Sequence, residues 1–344
     1  MSRTINWRID VLRNEILIGT LKASQCELIF DSSAEVMRSG KITAPIGSVT
    51  AEGTEISLFS DRIRPVMLKD GDEYPLGKYA VVAAPEYLSD AGSYMSIEMY
   101  DETMILKQAR IDERVFFAAG TSYQSAIEQM IVMCGLTDYR FETTALTLSE
   151  DREFSIGTMC LEIINQLLDE INYNHIYAGL DGTMYLTPKR QKQTADHVYT
   201  DRRPFGIMKP IKRDTDIYSL PNVLIGVVSN PSLDAPMVYI RENNDMNSQI
   251  SIPNRGYKIT KIYKLSNIAT AEDLEAYIDA EYLKSTQMTE TAEIQTVPEP
   301  GHEFGDTVQI DTSMLSGLYV ETGWTMRLSV SESMTHKLER MVFV

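Results

Sequence analysis

"GTSYQSAIEQMIVMCGL", residues 120–136, is where the chain changes character. Ala126, Ile127, Met130, Ile131 and Cys134 recur at the intervals that bring side chains onto one face of an α-helix. Thr121 or Ser122 stands where an N-cap belongs, and Gly135 follows where a left-handed residue ends a helix. A second stripe lies in "GTMCLEIINQLLDEINY", residues 157–173: Met159 or Cys160, then Ile163, Ile164, Leu167, Leu168 and Ile171, all after Thr158. Strand patterns flank both helices, "RVFFAA" at 114–119 and "NHIYAGLDGTMYLTP" at 174–188, the latter folded at Asp181-Gly182. Residues from about 110 to 190 therefore read as an α+β unit inside a chain that is otherwise β.

The segment before it shows short strands broken by turns: "ELIFD" (27–31), "EVMRSGKITAPI" (35–46), "RIRPVMLKDGDEYPLGKYAVVAA" (62–84) and "GSYMSIEMY" (92–100). Asp70-Gly71 is a hairpin signal, because a tight turn needs positive φ and glycine tolerates it. This region predicts a small barrel or sandwich. After the α+β unit comes the only basic stretch, 188–216, whose prolines suggest a connector. Strand patterns return at 221–230, 236–244 and 256–265. A helix starts at Thr270, with Asp273 completing a weak capping box and Leu274, Tyr277, Ile278 and Tyr282 on one face. The rest is β. In the last strand Met334, His336, Leu338, Arg340 and Val342 share one face, and neither face is purely apolar.

Composition narrows the classes. Hydrophobic residues at 43% and charged residues at 24% are globular values. No apolar run reaches the roughly 18 residues of a spanning helix, and the opening residues lack a signal-peptide pattern. These features predict a soluble protein with no membrane insertion of its own. The formal charge of −17 repels nucleic acid and phosphate. Cys26, Cys134 and Cys160 have no C-x-x-C spacing and are too few for a disulfide framework, so they read as core thiols in a reducing compartment.

The strongest candidate for chemistry is "VPEPGHEFGDTVQI", residues 297–310, which packs His302, Glu303 and Asp306 closely. Its prolines and glycines forbid the helix on which a zinc pair commonly sits, and His175, His197 and His336 lie in unrelated segments. A turn feeding the strand "DTVQI" is the preferred reading. Paired carboxylates carry no information among 49 acidic residues, and no nucleophile elbow, zinc helix or phosphate loop occurs. No catalytic, cofactor-binding or metal residue is assigned, and no cofactor. Eighteen tyrosines against nine phenylalanines, many in strands, suit surfaces half-buried against another chain, and equally the sheet edges of a monomer.

The order of segments carries a resemblance. The runs 96–136 and 154–188, then "DIYSLPNVLIGVV" (216–228), "PEPGHEFGDTVQI" and the closing "MTHKLERMVFV" (334–344) resemble the baseplate hub, or tail-tip hub, family of long-tailed phages and phage-tail-like particles. The resemblance spans nearly the whole chain, and no single motif is diagnostic. It implies a β-rich α+β fold with two tube-type β-barrel domains plus a smaller α+β domain. The first barrel would be 1–105, with 205–235 returning to it; the peripheral α+β domain would be 106–204, and the second barrel 236–344 with one helix.

It further implies a non-enzymatic homotrimer with pseudo-sixfold symmetry in the baseplate at the distal end of a tail, contractile or non-contractile, made in the bacterial host cytoplasm. Its implied partners are the tail tube protein, the central spike protein, other baseplate proteins and the tape measure protein. DNA would meet it only in transit, through an acidic bore. Because the chain stops after its last strand, spike and lytic domains are expected on other chains. The competing readings are a cell-wall hydrolase using unrecognised carboxylates and a glycan-binding adhesin, for which only Trp7 and Trp324 are at hand.

Overall fold

The computed structural model describes residues 5–46, 49–50, 57, 59–89, 92–190, 192–201, 206–215, 220–229, 235–265, 270–285, 287–329 and 332–343. With 48% of residues in strands and 15% in helices, the β-rich α+β class expected from the sequence holds. Among the described residues no sheet closes on itself. The chain forms two compact units, Met1–Pro210 with Ile294–Lys337, and Ile211–Glu293 with Leu338–Val344.

In the first unit the strands Ser316–Arg327, Gln25–Asp31, Arg38–Pro45, Gly92–Asp101, Tyr79–Ala83, Arg62–Lys69, Ile5–Arg13 and Ile16–Leu21 follow one another across a single sheet. Alternation decides which face is inside: in Gln25–Asp31 the residues Cys26, Leu28 and Phe30 are buried and their neighbours are not. Asp70 and Gly71 both hold positive φ, 54° and 102°, and turn Arg62–Lys69 into Asp72–Pro75 as the hairpin signal requires.

The strand Ser316–Arg327 pairs antiparallel with Gln25–Asp31, placing Trp324 opposite Phe30 and Gly323 opposite Asp31. A Cβ on Gly323 would stand 2.7 Å from the Phe30 carbonyl oxygen, so the close pairing depends on glycine there. Trp324, Phe30, Leu28 and Met326 fill the core beneath, each large apolar side chain contributing about 1.5–3 kcal/mol by burial. The next layer of pairing runs from Ser316–Arg327 to Thr307–Asp311, and from there, in parallel, to His197–Thr200.

The helices α1 (Thr103–Gln108), α2 (Tyr123–Met133) and α3 (Cys160–Glu170) also belong to this unit. The stripes read from sequence are buried: Ala126, Ile127, Met130 and Ile131 on α2, and Ile163, Ile164, Leu167 and Leu168 on α3. Two small sheets complete their core, Val115–Phe117 with Arg152–Phe154, and Tyr139–Phe141 with Met184–Leu186 and Tyr177–Ala178. One expectation is corrected here. Cys134 and Cys160 are joined in a disulfide, with Cα atoms 6.7 Å apart, and only Cys26 is a free buried thiol. Helix packing brings the end of α2 to the start of α3, a proximity that a separation of 26 residues does not announce.

In the second unit Val223–Val228 is the central strand, antiparallel to Met237–Glu242 and parallel to Thr260–Leu265. The helix Ala271–Ser285 covers one face through Leu274 and Ile278, over Gly226. Its start is as read: the Thr270 hydroxyl accepts from the Asp273 N–H at 3.1 Å and donates to the Asp273 carboxylate at 2.7 Å. Glu290, buried, takes Arg213 and Arg340 at 2.9 and 2.7 Å. Of the 205–235 stretch expected beside the first strands, 205, 216–219 and 230–234 lie outside the described residues, and Val223–Val228 centres this sheet. Residues 294–337, assigned from sequence to the 236–344 segment, group with the first unit.

Candidate functional site

The 297–306 segment is the turn that the sequence predicts. Gly301 and Gly305 take φ of 90° and 76°, and the chain enters the strand Thr307–Asp311 directly afterwards. Its polar residues are not idle, however, because distant strands deliver partners to each of them.

Three of the four histidines meet here. His302, in the turn, is buried at 1% exposure. His336 lies on the buried face of Met334–Phe343 and is 0% exposed. Glu321, on Ser316–Arg327, sits between them, accepting from His302 Nδ1 at 2.7 Å through one oxygen and from His336 Nδ1 at 2.6 Å through the other. His197 stacks on His302 with ring centroids 3.7 Å apart. Alternation explains the delivery: His197 and Tyr199 point inward while Val198 is exposed, and Glu321 points inward while Val320 is exposed.

Burial alone would push the Glu321 carboxyl up, but the hydrogen bonds of His302 and His336 outweigh it and hold it down at about 2. An ionised carboxylate only accepts, so both Nδ1 atoms carry protons. The far nitrogens then accept in the neutral rings: Tyr199 donates its hydroxyl to His302 Nε2 at 2.9 Å, and Thr296 donates to His336 Nε2 at 2.8 Å. Burial pushes His336 below the ordinary histidine range, and Glu321 only partly restores it. His197 behaves oppositely: burial lowers it, but its contact with Asp306 at 3.2 Å outweighs that and raises it. Asp306 is held down by His197, the Glu303 N–H and Lys192 against the opposing effect of burial.

Two imidazoles and a carboxylate could hold a metal by type, and the candidate ligand atoms lie within 4.8 Å of one another. The spacing argues otherwise. Ligands bonded tetrahedrally at about 2.0–2.1 Å stand roughly 3.3 Å apart, whereas the carboxylate contacts here are 2.7 and 2.6 Å, which are hydrogen-bond lengths. Every ring nitrogen of His302 and His336 already has a partner. The chain Tyr199–His302–Glu321 also has the order of a nucleophile, base and orienting acid, yet Tyr199 is 8% exposed and His302 1%, so the hydroxyl is turned from solvent.

Glu303 and Asp306 serve neighbouring contacts. Glu303 takes the buried guanidinium of Arg38 at 2.6 Å and the Leu180 N–H at 2.7 Å, while Asp306 takes Lys192 at 3.0 Å. Within the basic stretch Lys192 also reaches Asp196, Arg190 reaches Glu142 and Lys189 reaches Asp169. His175 stands apart with Asp169 at 3.0 Å. Trp324 is core rather than part of a binding surface, and surface grooves of about 480 and 870 Å³ are lined by other residues, Ser24, Glu27, Lys41 and Arg327 among them in one, Glu35 and α3 in the other. Sequence spacing could not bring His197, His302, Glu321 and His336 together. The only available signal was that polar residues occupy the alternate positions that turn out to face inward.

No protein-family model matches the chain, and none of the curated proteins compared matches its sequence. Solved structures match its fold. The tail protein from Neisseria meningitidis gives a TM-score of 0.63 at 10% identity, over 98% of this chain and 97% of that one. The 43 kDa tail protein of prophage MuSo2 from Shewanella oneidensis gives 0.61 at 10% identity, over 98% of both chains. A chain in the Francisella PdpA-VgrG complex gives 0.61 at 10% identity, over 98% of this chain and 53% of that one. At such identity the likeness is one of fold.

Proposed function

Starting from a fold shared end to end with phage tail proteins, we propose that the chain is a structural, non-enzymatic hub of a tail or tail-like particle. The observation that carries this reading is that the likeness covers 98% of the chain and 97–98% of two tail proteins, with neither side left with a large unmatched domain. In this reading three copies form a ring whose tube-type domains, two per copy, present pseudo-sixfold symmetry to a hexameric tail tube and threefold symmetry to a spike. The likeness to a chain in a VgrG complex supports the spike side. Closed rings require two different surfaces on each copy to meet, so the contacts are heterologous.

The charge of −17 per copy suits a bore through which DNA passes without binding, since attraction to phosphate needs Lys or Arg. Tail tube, spike, other baseplate proteins and the tape measure protein are the partners in this reading, and the distal end of a tail is the place. Co-expression with the adjacent tail proteins, followed by particle imaging, tests it. Three copies around the tail axis at the tube end are expected. Density off the axis, or digestion of cell envelopes by the purified chain alone, would overturn the reading.

A further inference from the structure

We propose that His197, His302, His336 and Glu321 form an acid-sensitive clasp, in which ring protonation in mildly acidic solution loosens the strand His197–Thr200 and the 297–306 turn from the strands bearing Glu321 and His336. The clasp joins segments far apart in the chain. Its contacts are His302 to Glu321 at 2.7 Å, His336 to Glu321 at 2.6 Å, and His197 on His302 at 3.7 Å. Three of the protein's four histidines are in it, so one titrating residue type controls the whole junction.

The neutral form satisfies every nitrogen of His302 and His336, with Glu321 accepting on one side and Tyr199 and Thr296 donating on the other. A proton added at Nε2 turns an acceptor into a donor. Thr296 can answer by turning its hydroxyl to the Val297 carbonyl, 3.1 Å away, but Tyr199 must reverse toward His302. One added proton neutralises the Glu321 charge. Further protons leave positive rings in a buried site, and His197, whose contact with Asp306 favours its charged form, lies face to face with His302.

The charged and titratable groups around the rings are few. His336 faces Glu321, His302, Tyr199 and, further off, His197. His302 faces Glu321, His197 and Tyr199. His197 faces Asp306, with Glu321 and Asp196 beyond, and Lys192 neutralises the Asp306 side. The signs differ between rings. A His336 lowered below 6.5 favours the fold above that value and stops doing so as pH falls. A raised His197 favours the fold below 6.5 and fades as pH rises through its raised value. Loosening on acidification therefore reports the His302–Glu321–His336 part.

Hydrogen–deuterium exchange of the full chain between pH 7.5 and 5.0, corrected for intrinsic rates, tests the clasp. Protection in peptides covering 196–200 and 302–311 is expected to fall at least tenfold, while peptides from α2 and α3 stay unchanged. The double variant His302→Asn/His336→Asn should lose that difference and His175→Gln should keep it. Flat protection across the pH range in the native chain, an equal change in all peptides, or a folded double variant that retains the full pH response would overturn the proposal. If the double variant does not fold, the native-chain profile decides.

Discussion

Arg38 and Glu303, 265 positions apart in sequence, meet with Nη2 and Oε2 at 2.6 Å. The guanidinium is fully buried, lies over Phe30 and Trp324, and donates from Nε to the Ala178 carbonyl at 2.9 Å, while the carboxylate keeps 39% of its side chain exposed. One cation thus joins the large sheet, the strand Tyr177–Ala178 and the 297–306 turn. Burial pushes the Glu303 carboxyl up, and Arg38 draws it part of the way back.

The asymmetry of exposure predicts asymmetric mutants. Glu303→Ala strands a buried cation and costs about 3 kcal/mol, the low end for breaking a buried pair, because water reaches one edge of the site. Arg38→Met leaves a carboxylate that can turn to solvent and costs less. The double variant should be no worse than Glu303→Ala alone. Urea denaturation of the four proteins measures this.

The Cys134–Cys160 bond should appear as chemistry and as stability. Under denaturing conditions without reductant an alkylating reagent should add one group, at Cys26, and after reduction three. Cys134→Ala/Cys160→Ala should destabilise the chain by about 3 kcal/mol, the expectation for a loop of this size. Intact mass and thermal unfolding are the readouts.

Gly226 marks where the helix Ala271–Ser285 rests on its sheet. A Cβ there would stand 2.6 Å from Ile278 Cγ1 and 2.7 Å from Leu274 Cδ1. Gly226→Ala should therefore cost about 1–3 kcal/mol by overpacking. Gly206→Ala, with nothing within 4 Å of the new methyl, should be nearly neutral in the same denaturation experiment.

Glu321 sets a separate acid limb. Its carboxyl is held at about 2 against an ordinary 4.5, so its contribution is complete above 4.5 and disappears as pH falls toward 2. That loss amounts to roughly 3 kcal/mol. Glu321→Gln should be less stable at neutral pH and should lack this limb, as followed by unfolding midpoints at successive pH values.

Local elements were legible in the sequence because their causes are local. The stripes of α2 and α3, the Asp70-Gly71 and Asp181-Gly182 turns, and the Thr270 cap follow from side-chain period, positive φ and short-range hydrogen bonding. The segment order also carried the likeness to tail proteins. What tertiary structure alone decided is which distant segments meet: Ser316–Arg327 beside Gln25–Asp31, Cys134 against Cys160, and His197, His302 and His336 around Glu321. A strand's alternation says which residues face inward but not which partner they will find. Pairing is selected by the burial of whole faces across the chain, and that free energy exists only once the sheet has formed.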